Sequence, residues 1–363
     1  MLAGDVMTGR GIDQVMPEPV SPELYEPWVL DARGYVRLAE RANGPIAAPM
    51  RPQDPWGDAL AEIEGLAPDL RIVNLETAIT VSGTPWAGKR IHYRMNPAHI
   101  ACLSAAGIDA CALANNHVLD WSAEGLKDTL QTLQAAGIAS AGAGLDALQA
   151  RAPAVLPLPH GERLLMFAFA TPSSGVAPEW EATAERPGIA LLPQLNESDA
   201  QGVRACVERH RRRNDRVLVS LHWGENWVED LPELHRGFAH RLIDLGAADV
   251  VHGHSSHHPL PIEVHAGKLI LYGCGDLIND YEGIAPRGRL RSDVGCLYAA
   301  TLSGADGRVQ GLEILPFELR RFRLRQPTAE TLQWLHQLLA PGCRALGTRL
   351  ETASQTRWRL LWR

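Results

Sequence analysis

The chain has 363 residues, of which 45% are hydrophobic and 21% charged, and its net charge is −7 at pH 7. That length buries a large core without disulfide or metal staples, and the composition excludes bulk disorder. The acidic balance argues against a general nucleic-acid binder, and no apolar run reaches the ~20 residues of a membrane span.

Six cysteines (Cys102, Cys111, Cys206, Cys274, Cys296, Cys343) contain no CxxC pair and sit mostly in apolar segments. They read as buried thiols of a reducing compartment. The start, Met1-Leu2-Ala3-Gly4-Asp5, has neither a basic nor a long apolar leader region. A cytoplasmic location is expected, provided the true start does not lie upstream.

In chain order, Met1–Gly4 opens as a short apolar run, and residues 14–60 are proline-rich and irregular. They are expected to form an extended insertion, a lid or one wall of a site. Apolar runs at 71–74, 110–114, 164–169, 216–221, 248–251 and 268–272 read as strands covered on both faces. Helices are predicted between them: 97–106 behind a leading proline, 123–136 between Ser122 and Gly137, 199–213, and 233–245 before Gly246. The basic run Arg209–Arg213 reads as a solvated helix end. Residues 172–198 are a second loop-rich stretch. From Thr328 onward, Trp334, Leu335, Leu338, Leu339, Trp358 and Leu361 suggest a helical tail. Strand–helix alternation predicts an α/β layered core. The expected organisation is a main domain over 1–325 and a C-terminal helical appendage over 326–363.

Polar groups able to bind metal recur at the ends of these runs. Asp5 follows Met1–Gly4, Glu76 follows 72–75, and Asn116 with His117 follows 112–114. His222 follows 217–221, and His254 and His257 follow 250–253. In an α/β sheet the site lies outside the carboxyl ends of the strands, so these residues are expected to meet at one edge. Carboxylates, an amide oxygen and imidazoles suit Mn, Fe or Zn better than Mg or Ca. With no thiolate in the set, a structural zinc site is disfavoured. Six ligands exceed the need of one open ion, so one or two divalent transition ions are expected. A two-ion site activates a water and clamps the attacking and leaving oxygens. Singly, each residue has a bland alternative as a turn or core group. The reading rests on recurrence at the same structural place.

The segments Gly4-Asp5-Val6-Met7-Thr8-Gly9-Arg10, Asn74-Leu75-Glu76, Ala114-Asn115-Asn116-His117-Val118-Leu119-Asp120, His222-Trp223-Gly224 and Gly253-His254-Ser255-Ser256-His257 occur in that order. Together they resemble the CapA family of capsule-synthesis, poly-γ-glutamate-associated proteins, from Asp5 to about Asp280. The resemblance implies a branch of the calcineurin-like metallophosphoesterases. The implied fold is α/β in four layers, two β-sheets packed face to face between helices. By it, Asp5, Glu76 and His257 would hold one ion, and Glu76 would bridge to a second held by Asn116, His222 and His254. His117 would be the general acid, or would stabilise charge on the substrate or leaving group. Asp120 would orient His117, or be a carboxylate at a helix start. Met7 stands where that superfamily usually has the histidine of an Asp-x-His motif. Tyr272–Ile278 departs from the usual Ser-Leu-Gly-Asn-Phe type segment, so Asp276 either adds a carboxylate near the site or is a turn residue.

Substrate-facing candidates are Arg10, which could pair with a phosphate or carboxylate, and the stretch Lys89, Arg90, His92, Tyr93 and Arg94. Trp223 and Glu225 complete the set with Asp276, and Trp223 and Glu225 could wall a pocket. His252, His258 and His265 are expected in supporting or surface roles. The expected function is a metal-dependent hydrolase using an activated water on a phosphoester, or on an amide or ester of a γ-glutamyl-type compound. The alternative is a non-catalytic capsule component binding an anionic polymer. The expected partner is an anionic small molecule or polymer, without nucleic acid or membrane.

Overall fold

In the computed structural model, residues 1–284 and 288–362 are described. Two large β-sheets organise them. In the first, the strands Leu2–Val6, Ile72–Leu75, Ala110–Ala112 and Ala139–Ala141 lie parallel and in that order. On its other side Leu2–Val6 pairs antiparallel with Val294–Leu302, which pairs with Val309–Arg320. Asp276–Ile278 also lies against Leu2–Val6, in parallel. The second sheet runs Ile262–His265, Lys268–Leu271, Val250–His254, Arg216–His222, Arg163–Ala170 and Ala154–Pro157, parallel except at its two edges.

Side-chain alternation explains how the layers meet. Along Arg163–Ala170, Leu164, Met166, Ala168 and Ala170 enter the core shared with the first sheet. Leu165, Phe167 and Phe169 face a second core, with Val203 and Val207 of helix Glu197–His210 and Phe238 and Leu242 of helix Glu233–Asp244. Ile63, Leu103 and Leu126, from the helices Ala59–Leu66, Ala101–Ala105 and Ser122–Ala135, join the shared core. The result is helix, sheet, sheet, helix. Strands buried on both faces need apolar residues at every position, which is why these runs were continuous in the sequence.

The predicted helices occur with shifted ends. The third starts at Glu197 rather than Asp199 because Asn196 accepts from the Asp199 backbone N–H as an N-cap. The basic run after it is exposed. The 97–106 segment is a 3-10 turn, Pro97–Ile100, followed by Ala101–Ala105.

Two expectations need correcting. Residues 14–60 are not simply irregular: they carry the helix Arg33–Asn43, whose buried Tyr35 and Ala39 face inward. The C-terminal tail is helical only over Ala329–Ala345. Beyond it, Thr348–Thr352 and Trp358–Trp362 form a hairpin that joins the first sheet through Glu313 opposite Arg359 and Ile314 opposite Trp358. Trp358 and Leu360 are buried while Arg359 is exposed, an alternation with period two. All six cysteines are free and buried. Among the described residues no helix is long and apolar enough to cross a membrane.

Candidate metal centre

The inner face of the second sheet changes character along its strands. Strands Arg216–His222 and Val250–His254 are in register, so Leu218 faces Val250, Ser220 faces His252 and His222 faces His254. The apolar pair thus gives way to a polar ladder at the carboxyl ends. On the first sheet, Asp5 lies in the strand Leu2–Val6, across from Asp276. Glu76 immediately follows Ile72–Leu75. The two sheets bring these ends together.

Two buried groups result, and they share Asp5. In one, ligand atoms of Asp5, His222 and His254 lie within 4.8 Å of one another; in the other, those of Asp5, His257 and Asp276 do. The Nδ1 atoms of His222 and His254 are 2.7 Å apart. His222 Nε2 lies 3.2 Å from Asn116 Oδ1 and 3.9 Å from Glu76 Oε1. Glu76 Oε1 is also 3.8 Å from His117 Nε2. Asn74 Nδ2 donates to Asp5 Oδ1 at 2.7 Å and to Glu76 Oε2 at 3.3 Å, holding the two carboxylates side by side. His257 Nδ1 and Asp276 Oδ1 are 2.8 Å apart, and Asn279 Nδ2 donates to the other Asp276 oxygen. His257 sits at φ 60°, a left-handed conformation that turns its ring inward under the stacked Trp227.

The electrostatics follow from burial among like charges. Burial, reinforced by Asp276, pushes the Asp5 carboxyl up to about 7. Burial, with Asp5 and Asp276 beside it, holds Glu76 well above the carboxylate range. Burial drives His222 and His254 well below the usual imidazole value. The site is therefore rich in carboxylates and neutral imidazole nitrogens, with Lys89 as a cation at its edge, a donor set that a divalent ion would relieve.

Beside it stands a dyad. His117 donates from Nδ1 to Asp120 Oδ2 at 2.6 Å, and the Tyr93 backbone N–H donates to the same oxygen. Burial pushes His117 down to about 4, although Asp120 works against it. Burial opposes ionisation of Asp120, but His117 and Lys89 outweigh it and hold the carboxyl below its ordinary value. Asn115 builds the loop: its Oδ1 accepts from the backbone N–H groups of His117 and Val118, and its Nδ2 donates to Asn74 Oδ1 and Leu75 O.

Asp5, Glu76, Asn116, His117, Asp120, His222, His254, His257 and Asp276 thus come together. Asp276 joins as a neighbour of His257 and Asp5 rather than as a residue facing substrate. The remaining substrate-facing candidates lie elsewhere. Arg10 is buried in a separate cluster, donating from Nε to Asp280 and from Nη1 to Glu26, each at 2.8 Å. Trp223 is buried on the outer face, stacked on His235 and donating to Tyr272 O, because strand alternation turns it away from His222. Glu225 and Arg90 are exposed. His92 contacts Trp86 O, and Arg94 lies over Trp121. Two residues of that stretch reach the site: Tyr93, whose ring meets that of His117 edge-on at 4.6 Å between centroids, and Lys89, which donates to Asp120 Oδ1 and Asn116 O and lies 3.2 Å from His117 Nδ1. Asn116, Lys89 and Trp227 are half-buried and form its rim. Met7 is buried with its sulfur accepting from Tyr281 Oη at 3.7 Å. A cavity of about 980 Å³ lies at the opposite strand ends, against Leu2, Ile72, Leu164 and Trp362; none of the clustered residues lines it.

Residues 1–281 match the family described as bacterial capsule synthesis protein PGA_cap. The chain belongs to that family. The probable polyglutamine synthesis accessory proteins of two Mycobacterium tuberculosis strains are each 45% identical to it over 353 residues, covering 97% of this chain and 93% of theirs. The PGA biosynthesis protein CapA of Bacillus subtilis is 25% identical over 278 residues, 76% of this chain and 62% of that one. A solved phosphatase from Mycoplasma pneumoniae aligns with TM-score 0.43 and 12% identity over 73% of this chain and 91% of its own. The matched span of this PGA_cap member contains every residue of the centre. Sequence reasoning missed Asn74, Ser220 and Asn279, which touch the ligand-type side chains; Asn74 stood within the Asn-Leu-Glu motif, whereas Ser220 had only its same-face spacing from His222.

Proposed function

We propose that this PGA_cap member is a metal-dependent hydrolase whose substrate is an anionic compound of the γ-glutamyl or phosphoester class. The observation that carries this reading is the sharing of Asp5 between two buried carboxylate–histidine groups, with the His117–Asp120 dyad 3.8 Å from Glu76. Asp5, Glu76, Asn116, His222, His254 and His257 would hold one or two divalent transition ions, with Asp276 beside them. Such ions supply an activated water and Lewis-acid stabilisation of developing negative charge.

The chain's own groups account for the rest. Asp120 accepts from His117 Nδ1 and fixes the ring with Nε2 toward Glu76. With its affinity for protons lowered by burial, His117 Nε2 is a bare lone pair at neutral pH, so the residue begins as a proton acceptor. Nε2 would take a proton from the attacking water, hold it against the charge of an anionic substrate, and return it to the leaving group. Lys89 keeps Asp120 ionised and ties the loop carrying it to Asn116. A second reading, a non-catalytic component that binds an anionic polymer, draws on the accessory role in the names of the mycobacterial relatives.

The test is metal analysis of the purified chain with a panel of phosphoesters, esters and γ-glutamyl amides. His254→Ala is expected to lower bound metal. His117→Ala is expected to keep the metal and lose 10²-fold or more in rate. A chain that holds metal but turns over none of the panel, and binds poly-γ-glutamate, sides with the polymer-binding reading. A chain that takes up no transition metal ends the hydrolase reading.

A further inference from the structure

Behind the centre runs a chain of buried polar atoms that ends on an atom of fixed polarity. His252 Nε2 lies 2.9 Å from the backbone carbonyl of Ala3. His252 Nδ1 lies 3.0 Å from Ser220 Oγ, and Ser220 Oγ lies 2.8 Å from His254 Nε2. Ser220, His252 and His254 are each 0% exposed, so no solvent completes these bonds.

The polarity can be read outward from the carbonyl. A carbonyl oxygen only accepts, so His252 carries its proton on Nε2 and donates it to Ala3. A neutral imidazole has one donor and one acceptor nitrogen, so His252 Nδ1 accepts. Ser220 then spends its single hydroxyl proton on His252 and can only accept from the other side. Its donor is His254, whose proton is therefore on Nε2. The remaining nitrogen, His254 Nδ1, is left as a lone pair, and it is the atom that faces His222 at 2.7 Å and Asp5 Oδ1 at 3.9 Å.

We infer that Ser220 and His252 are positioning residues that fix His254 in the tautomer presenting Nδ1 as a metal ligand. The reading rests on the metal-centre proposal above. It also explains why a polar ladder continues beneath the ligands: Ser220 pairs with His252 two residues before His222 pairs with His254, on the same face. The relay crosses between the sheets and ends two residues from Asp5, so the ring and the shared carboxylate are referenced to the same strand. Without Ser220 Oγ, the His254 Nε2–H has no acceptor, and the ring can shift its proton to Nδ1 and turn a ligand into a donor.

Two measurements on the full chain test this. Histidine-selective ¹⁵N NMR of the chelator-treated protein, with His254 assigned by its loss in His254→Asn, is expected to show the Nε2–H tautomer; an Nδ1–H tautomer overturns the relay. Zn²⁺ titration against a competing indicator is expected to give 10- to 100-fold weaker binding in Ser220→Ala, and binding within about threefold of the parent in Ser220→Thr, which keeps the hydroxyl. His252→Gln, whose amide can accept from Ser220 and donate to Ala3, is expected to bind more tightly than His252→Leu. Parent-like affinity in Ser220→Ala, or equal losses in Ser220→Ala and Ser220→Thr, overturns the assignment. If the parent binds no Zn²⁺, the metal proposal fails, and the tautomer measurement alone decides the relay.

Discussion

Two buried polar clusters, separated by Tyr93 and Tyr281, treat charge in opposite ways. Tyr93 Oη donates to Tyr281 Oη at 3.0 Å, and the two rings meet Arg10 on one side and His117 and His257 on the other. Around Arg10 every carboxylate oxygen meets a donor. Arg10 Nε and the Gly11 N–H serve one Asp280 oxygen and Arg10 Nη2 the other, while Arg10 Nη1 and Tyr35 Oη serve Glu26. The guanidinium also lies 3.5 Å from the Tyr35 ring centre. Around Asp5, by contrast, carboxylates neighbour carboxylates and imidazole nitrogens face each other. A buried charge is tolerated when it is paired. The first cluster is closed and reads as a clamp holding residues 26–35 against the chain near 280. The second has Lys89 at its rim, and the carboxylates of Asp5, Glu76 and Asp276 beyond it would be balanced by a divalent ion.

The sharpest way to break this contrast is Arg10→Met. It leaves Asp280 and Glu26 buried without their cation, and a loss of about 3–5 kcal/mol is expected, measured by equilibrium urea unfolding. A loss below about 1 kcal/mol would mean that the clamp is ornamental.

Asp5→Asn should act with the opposite sign. Asp5 belongs to both groups, so the variant is expected to lose all tight metal binding. Its effect on the chelated fold depends on pH. The folded value of about 7 lies above the ordinary 3.8. The carboxyl therefore favours the fold fully only below its unfolded value, and that contribution is lost as pH rises through 7. Asp5→Asn removes the burden; its oxygen can still accept from Asn74, and what it gives up is the longer 3.3 Å bond from the Ser255 N–H to the other oxygen. The metal-free variant is expected to gain on the order of 2 kcal/mol over the parent at pH 8, with the gain growing from about pH 4 to 7 and then levelling. Thermal unfolding in chelator across that range measures it; a variant destabilised at pH 8 would show that Asp5 is satisfied without a cation.

The open cluster was more legible in the sequence than the closed one, for a physical reason. Ligand-type residues sit at strand ends, where a continuous apolar run stops and a polar group stands out. Arg10 also stands near such an end, but its partners Asp280 and Glu26 belong to other segments, and nothing local marks them. Trp223 could have been placed better: a residue next to an inward-facing strand residue faces outward. The C-terminal hairpin was hidden because Trp358 and Leu361 continue the spacing of the preceding helix, whereas Trp358 and Leu360 are the pair that is buried. Lys89 was visible as part of a basic stretch, but only the fold separates it from Arg90, which is exposed.

A third kind of buried polar group calibrates both clusters. His235 lies on the outer face, stacked at 4.5 Å on Trp223, with its Nδ1 buried and without a partner. Burial alone pushes it down to about 4. Its folded value is depressed below 6.5, so between 6.5 and 4 the unfolded chain takes up a proton that the folded chain refuses. Stability is therefore lost as pH falls through that window, by about 2–3 kcal/mol at the acid end. His235→Phe keeps a flat ring against Trp223 and removes the titration. It should match the parent at pH 8 and exceed it at pH 4.5 in urea unfolding. The acid sensitivity left in His235→Phe then belongs to the other histidines that burial holds neutral, His117, His222, His252, His254 and His258, and to carboxylates held low by their partners, such as Asp120 and Asp215. That remainder should shift when Zn²⁺ is added, because the ion competes with protons for His222 and His254, whereas the part removed at His235 should not. If the acid limb is the same in the variant and the parent, isolated burial at His235 contributes nothing, and the sensitivity lies in the other buried histidines and the paired carboxylates.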